Sequence, residues 1–139
     1  MRFICILIVL FLLGILAILG FNRNQDILPF IPSFLQYDKS LHFTCFGVLT
    51  FFIYFIWERR MLYNLKWTCI IMFLFSIVSE CVQAIMPFRN FDLYDILANL
   101  IGSTIGVLLA IIIDYVRIRW WKYQSVNNNQ DTLLPLTRL

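Results

Sequence analysis

Four apolar stretches, each close to the length that crosses a bilayer, constrain this chain more than anything else in it. A membrane helix needs about 20 apolar residues, within a range of about 17–25. Such runs extend from Phe3 to about Phe21, from Leu41 to Trp57, from Trp67 to Pro87 and from about Ile96 to Val116. The joints between them are polar: Asn22 to Ser40, Glu58 to Lys66 and Phe88 to Asp95. Composition agrees, since 61% of the 139 residues are hydrophobic and 14% are charged. A soluble domain carries about 25% charged residues. Soluble globular folds, disordered regulators and nucleic-acid binders are therefore nearly excluded. The expected fold is an all-α membrane protein with four transmembrane helices in a small bundle. One domain should cover residues 1–123, followed by a disordered polar tail over 124–139, marked by the run VNNNQD.

The first run follows Arg2, as a secretory signal would. It exceeds the roughly 7–15 residues of a signal core, and ILAILG offers no A-x-A cleavage site. A retained helix is expected. Basic residues then set the orientation. Arg2, Arg59, Arg60, Lys66, Arg117, Arg119, Lys122 and Arg138 fall on one side of a four-span chain, against Arg23, Lys39 and Arg89 on the other. Both termini should be cytoplasmic. RIRWWKY fits an anchor at headgroup depth, with Trp120, Trp121 and Tyr123 beside basic residues. Cys5, Cys45, Cys69 and Cys81 all lie in apolar runs without a C-x-x-C pair. They read as small packing residues.

A charge inside a span costs about 2.5–3.5 kcal/mol on insertion scales, so it has a role or a partner. Glu80 is such a residue, seven positions before Pro87 and so roughly 10 Å inside the helix end. On a helical wheel Ser76, Ser79, Glu80, Gln83 and Pro87 share an arc of about 100°. Asp92, Asp95, Asn99, Gly102, Ser103 and Gly106 share a similar arc, and Asp38 and His42 lie one turn apart. Topology brings the start of the second span, the end of the third and the start of the fourth to the non-cytoplasmic side. Asp38, Lys39, His42, Glu80, Gln83, Arg89, Asp92, Asp95 and Asn99 are thus expected to gather in one region. Glu80 should face the bundle interior, in a network with at least one of His42, Arg89 and Asn99. Each residue also has a plainer reading. Asp92 and Asp95 suit a helix N-terminus, Arg89 can snorkel, and polar side chains can simply join helices, for about 0.6–2 kcal/mol each. Gly102 and Gly106 form G-x-x-x-G, a close-packing surface for a neighbour in the bundle or for a second copy of the chain.

These pieces resemble a known pattern. DKSLHFTCFGVL at Asp38 to Leu49 resembles the D-K-x-x-H-F motif of the VanZ-like membrane proteins. SECVQAIMPFRNFDLYDILANLIGSTIG at Ser79 to Gly106 resembles that family's S-E-x-x-Q…P-x-R-x-x-D-x-x-D-x-x-x-N-x-x-G-x-x-x-G signature. The matching positions are Asp38, Lys39, His42, Glu80, Gln83, Pro87, Arg89, Asp92, Asp95, Asn99, Gly102 and Gly106. The compact layout and the DTLLPL ending are similar to small fungal members. The family takes its name from a protein associated with teicoplanin resistance, and its biochemical activity is unsettled. The resemblance implies an integral membrane protein, in the plasma membrane of a bacterium or in an endomembrane or the plasma membrane of a fungus.

Three functions fit these residues. The first is a non-catalytic protein that binds a polar lipid headgroup or envelope precursor. Lys39 and Arg89 would meet phosphate or carboxylate, and Asp92, Asp95 and Asn99 would accept hydroxyl or amine groups. The second is an enzyme acting on a lipid-linked substrate, with His42 or Glu80 as general base and Arg89 stabilising negative charge. The third is a scaffold or assembly subunit that makes contact through the glycine stripe. No nucleophile motif, phosphate loop or metal-binding helix motif appears, so a non-enzyme without cofactor is favoured. His and carboxylates could hold a metal, but their spacing follows no metal motif, and no metal is expected. The expected partners are the lipid bilayer and the headgroup or precursor, with no nucleic acid.

Overall fold

A computed structural model describes residues 2–21, 38–57, 59–87 and 91–133 of the chain, with side chains placed over 3–18, 39–57, 59–87 and 91–127. The described residues form four helices and no strand: α1 (Arg2–Phe21), α2 (Asp38–Ile56), α3 (Met61–Gln83) and α4 (Leu93–Leu133). Three of them, α2, α3 and α4, are long and apolar enough to cross a membrane, and α1 is a shorter apolar helix. In lipid, helices keep every backbone hydrogen bond within the segment, which is why long apolar runs take this form.

The helix ends correct the expected boundaries. α2 begins at Asp38, so Asp38 and Lys39 are already helical. α3 begins at Met61 rather than Trp67 because buried Asn64 closes its first turn. Asn64 Oδ1 accepts the Arg59 N–H at 3.2 Å, and the Asn64 N–H bonds the Arg60 carbonyl at 3.1 Å. α3 ends at Gln83, four residues before Pro87, which lacks an N–H and disfavours helix in the residue before it. The chain unwinds there through tighter turns, Ile85 N–H to Val82 O and Met86 N–H to Gln83 O. Glu80 therefore lies in the last turn of α3 and not the roughly 10 Å inside the helix end expected from the sequence. α4 starts where Asp92 caps it and does not stop at Tyr123; its backbone stays helical to Leu133, into the stretch read from sequence as a tail.

α2 is the central element. It packs most extensively on α4, with α1 and α3 also against it, and α3 against α4. The α2–α4 contact is backbone on backbone. A Cβ added to Gly102 would overlap the Phe43 carbonyl, and one on Gly106 would overlap the Gly47 carbonyl. The G-x-x-x-G stripe thus serves packing within the chain.

The interior is unlike a soluble core. His42, Thr50, Asn64, Thr68, Ser76, Glu80, Asp95, Asn99, Ser103 and Asp114 are buried, about as many polar as apolar side chains. On α3 the buried stripe runs Asn64, Thr68, Met72, Ser76, Glu80, one residue per turn. Large apolar residues such as Phe3, Phe11, Leu62, Leu74 and Ile112 face outward instead. That inversion suits a lipid surround, where apolar surface gains nothing by hiding. Among the cysteines, all free, Cys5 is buried as expected, whereas Cys69 and Cys81 are exposed and are not interior packing residues.

Candidate functional site

The ends of α2, α3 and α4 meet in a polar cluster. Asp92 is the pivot of its rim. Its Oδ1 accepts the Tyr94 N–H at 2.8 Å, satisfying one of the donors a helix start leaves open. Its Oδ2 lies 3.3 Å from Lys39 Nζ, and Lys39 also sits over the Tyr94 ring, 4.7 Å from its centre. The Tyr94 N–H first, and the Lys39 ammonium beside it, hold the Asp92 carboxyl below the usual carboxylate range. The Asp92 N–H in turn donates to Glu80 Oε1 at 3.0 Å, which ties the end of α3 to the start of α4. Ser76 Oγ adds a weaker tie to the Ile96 carbonyl at 3.4 Å.

Behind this rim lies a buried group. His42 (α2), Glu80 (α3) and Asp95 (first turn of α4) place one ligand-type atom each within 4.8 Å of one another. His42 Nδ1–H donates to Asn99 Oδ1 at 3.2 Å, joining α2 to α4. Glu80 is 1% exposed and Asn99 0%, yet Glu80 Oε2 and Asn99 Nδ2 have no hydrogen-bond partner among the described residues. Native proteins pair the great majority of such buried atoms. These two open atoms make the cluster the candidate site.

The structure therefore brings Lys39, His42, Glu80, Asp92, Asp95 and Asn99 together, and Glu80 lies on the interior beside His42, as the sequence reading expects. Gln83 is partly buried and lines a cavity with His42. Asp38 is helical, but its side chain is outside the described residues, as is all of Arg89. Gly102 and Gly106 lie on α4, where they let α2 approach.

Sequence reading does not single out a second polar cluster, at the other end of α2. Tyr54 Oη–H donates to Asp114 Oδ2 at 3.1 Å, and Arg117 Nη2 donates to Asp114 Oδ1 at 2.6 Å. The signal was present: Asp114 is a carboxylate inside the fourth apolar run, with Arg117 three positions on.

The cavity beside the first cluster has a volume of about 270 Å³ and lies between α1, α2 and α3. Leu13, Leu16, Phe46 and Phe75 contribute to its apolar wall, and His42, Ser79 and Gln83 line it as polar groups.

Known proteins place this arrangement. The model of the VanZ/LLP1 family matches residues 3–114, a stretch that holds both polar clusters except Arg117. An uncharacterized protein of Schizosaccharomyces pombe is 34% identical over 126 residues, spanning 88% of this chain and 74% of that protein. No solved structure matches the chain.

Proposed function

The chain belongs to the VanZ/LLP1 family, and from that premise we propose that it is a multi-pass membrane protein that binds a polar lipid headgroup. Its four helices span the bilayer with both termini cytoplasmic, on the weight of the basic residues. Labelling of single cysteines at Asn90 and Asn128 should then come from opposite sides of the membrane. Labelling of both from one side would sink that topology.

The cavity carries the binding reading. An apolar slot with polar groups at hand suits one acyl chain and the headgroup attached to it. Lys39, half exposed at the rim, and Arg89, which falls between α3 and α4 in sequence, would supply the positive charge that phosphate or carboxylate requires. Asp92 and Asp95 supply acceptors for hydroxyl or amine groups, and Asn99 supplies an amide, whose Nδ2 is a donor. The ligand class is thus a membrane lipid or lipid-linked precursor with an anionic, hydroxyl- or amine-bearing head. A second reading is an integral-membrane enzyme acting on the same class of molecule. Glu80 Oε2, buried and without a hydrogen-bond partner among the described residues, favours it, because a general base needs an oxygen available to the bound group.

Native mass spectrometry of the detergent-purified protein tests the binding. Wild type should retain a lipid, and Glu80→Gln and Arg89→Gln should lose most of it at normal membrane abundance. Each swap removes charge and keeps approximate size. Equal lipid retention in both variants would leave a scaffold, with the cluster as interhelical glue.

A further inference from the structure

We infer that His42, Glu80 and Asp95 form a site for one divalent first-row metal ion of the Zn²⁺ or Mn²⁺ class, set between α2, α3 and α4. The inference deepens the headgroup reading, on which it rests for placing ligand chemistry at this cluster.

Geometry comes first. Three atoms within 4.8 Å of one another share a centre no more than about 2.8 Å (4.8 Å/√3) from each, against metal–ligand bonds of about 2.0–2.2 Å. Small rotamer adjustments close that gap. The donor set is one imidazole and two carboxylates, which suits first-row divalent ions, whereas Ca²⁺ and Mg²⁺ prefer oxygen alone.

The surroundings are those of a metal ligand set. The 3.2 Å bond between His42 Nδ1 and Asn99 Oδ1 fixes the ring orientation, and in the tautomer that donates Nδ1–H there, Nε2 carries the lone pair an ion needs. Histidines that bind metals are held in this way by a partner on the other ring nitrogen. Glu80 is held likewise, through Oε1 on the Asp92 N–H, while Oε2 has no partner among the described residues despite complete burial. Three protein ligands leave a further position open, where a phosphate oxygen of the headgroup can bind the ion directly.

The spacing in sequence hides the site. Its ligands come from three different helices, so no short motif carries them.

The test uses the full-length protein in detergent, stripped with EDTA and dialysed, then given ZnCl₂ or MnCl₂ alone. Metal per chain is read by elemental mass spectrometry and stability by a thermal melt. Wild type should take up about one ion per chain and melt at higher temperature with it. Glu80→Gln and Asp95→Asn should bind at least tenfold more weakly and lose the shift, while Thr104→Ala, on an exposed face of α4, should behave as wild type. His42→Ala should also fail to bind, and the two near-isosteric variants keep the test valid where that truncation does not fold. No uptake of either metal, or equal uptake in both carboxylate variants, would overturn the site. Lipid is measured on the same samples. Metal without lipid refutes the headgroup reading and supports the ion; lipid without metal refutes the ion and supports the headgroup.

Discussion

Tyr54, Asp114 and Arg117 close on one another at one end of the α2–α4 interface; at the other, His42, Glu80, Asp95 and Asn99 converge and leave atoms over. Both clusters put charge among apolar helices, and on insertion cost alone they look alike. The difference is completeness. Asp114 is 1% exposed, and each of its oxygens has a donor, Tyr54 on one and Arg117 on the other. Arg117 also lies over the Phe55 ring and reaches outward, so its charge stays partly hydrated. Nothing there calls for a further group. Among the described residues, the Glu80 cluster keeps a carboxylate oxygen and an amide nitrogen without hydrogen-bond partners. Buried polar groups that saturate one another hold helices together, and on the proposal above the atoms left over at the Glu80 end are the ones that meet a ligand.

The comparison can be broken at three strengths. Gly106→Leu should have the largest effect, because its side chain would occupy the place of the Gly47 backbone and push α2 from α4. Both clusters then fail together, and membrane abundance should fall several-fold on a blot. Near-normal abundance would mean that the close backbone contact is dispensable. Asp114→Ala should act on one end alone. It strands the Tyr54 hydroxyl and removes the Arg117 partner, at about 1.5–3 kcal/mol. The thermal melt should drop while lipid retained per folded molecule stays at the wild-type level. An unchanged melt with lost lipid would exchange the roles assigned to the two ends. Tyr54→Phe is the mildest cut, since the ring keeps its edge contact with Phe55 and only the hydrogen bond goes. A loss of about 0.5–1.5 kcal/mol is expected, read as a small shift in the same melt.

The sequence revealed the helices because lipid demands apolar runs of fixed length, and it revealed most of the cluster because Glu80, Asp92, Asp95 and Asn99 share helix faces. Helix ends were harder. Met61 to Lys66 is too polar to read as span, yet Asn64 turns inward and closes the first turn of α3. Leu93 to Asp95 is helical because Asp92 caps it, a local bond that hydropathy does not register. The Tyr54–Asp114 pair joins residues far apart in the chain, and a tyrosine in an apolar run looks like any other aromatic. The closeness of His42, Glu80 and Asp95 likewise depends on three helices meeting, which wheels drawn one helix at a time cannot measure.

α4 is 41 residues long, about 60 Å at 1.5 Å per residue, whereas the hydrocarbon layer is about 30 Å thick. The portion from Arg117 to Leu133 is therefore a rigid arm of roughly 25 Å that continues the membrane helix without a joint. Mechanically, it is a pointer. Its pivot lies among Asp95, Asn99 and the glycines that α2 presses against, so a ligand that reorients α4 there moves the far tip. A change in tilt of about 10°, within the roughly 0–40° spanned by membrane helices, displaces a tip about 40–57 Å from that pivot by about 7–10 Å. The orientation of a buried element is thus legible outside the lipid, with Ser125, exposed on the arm, as the place to read it.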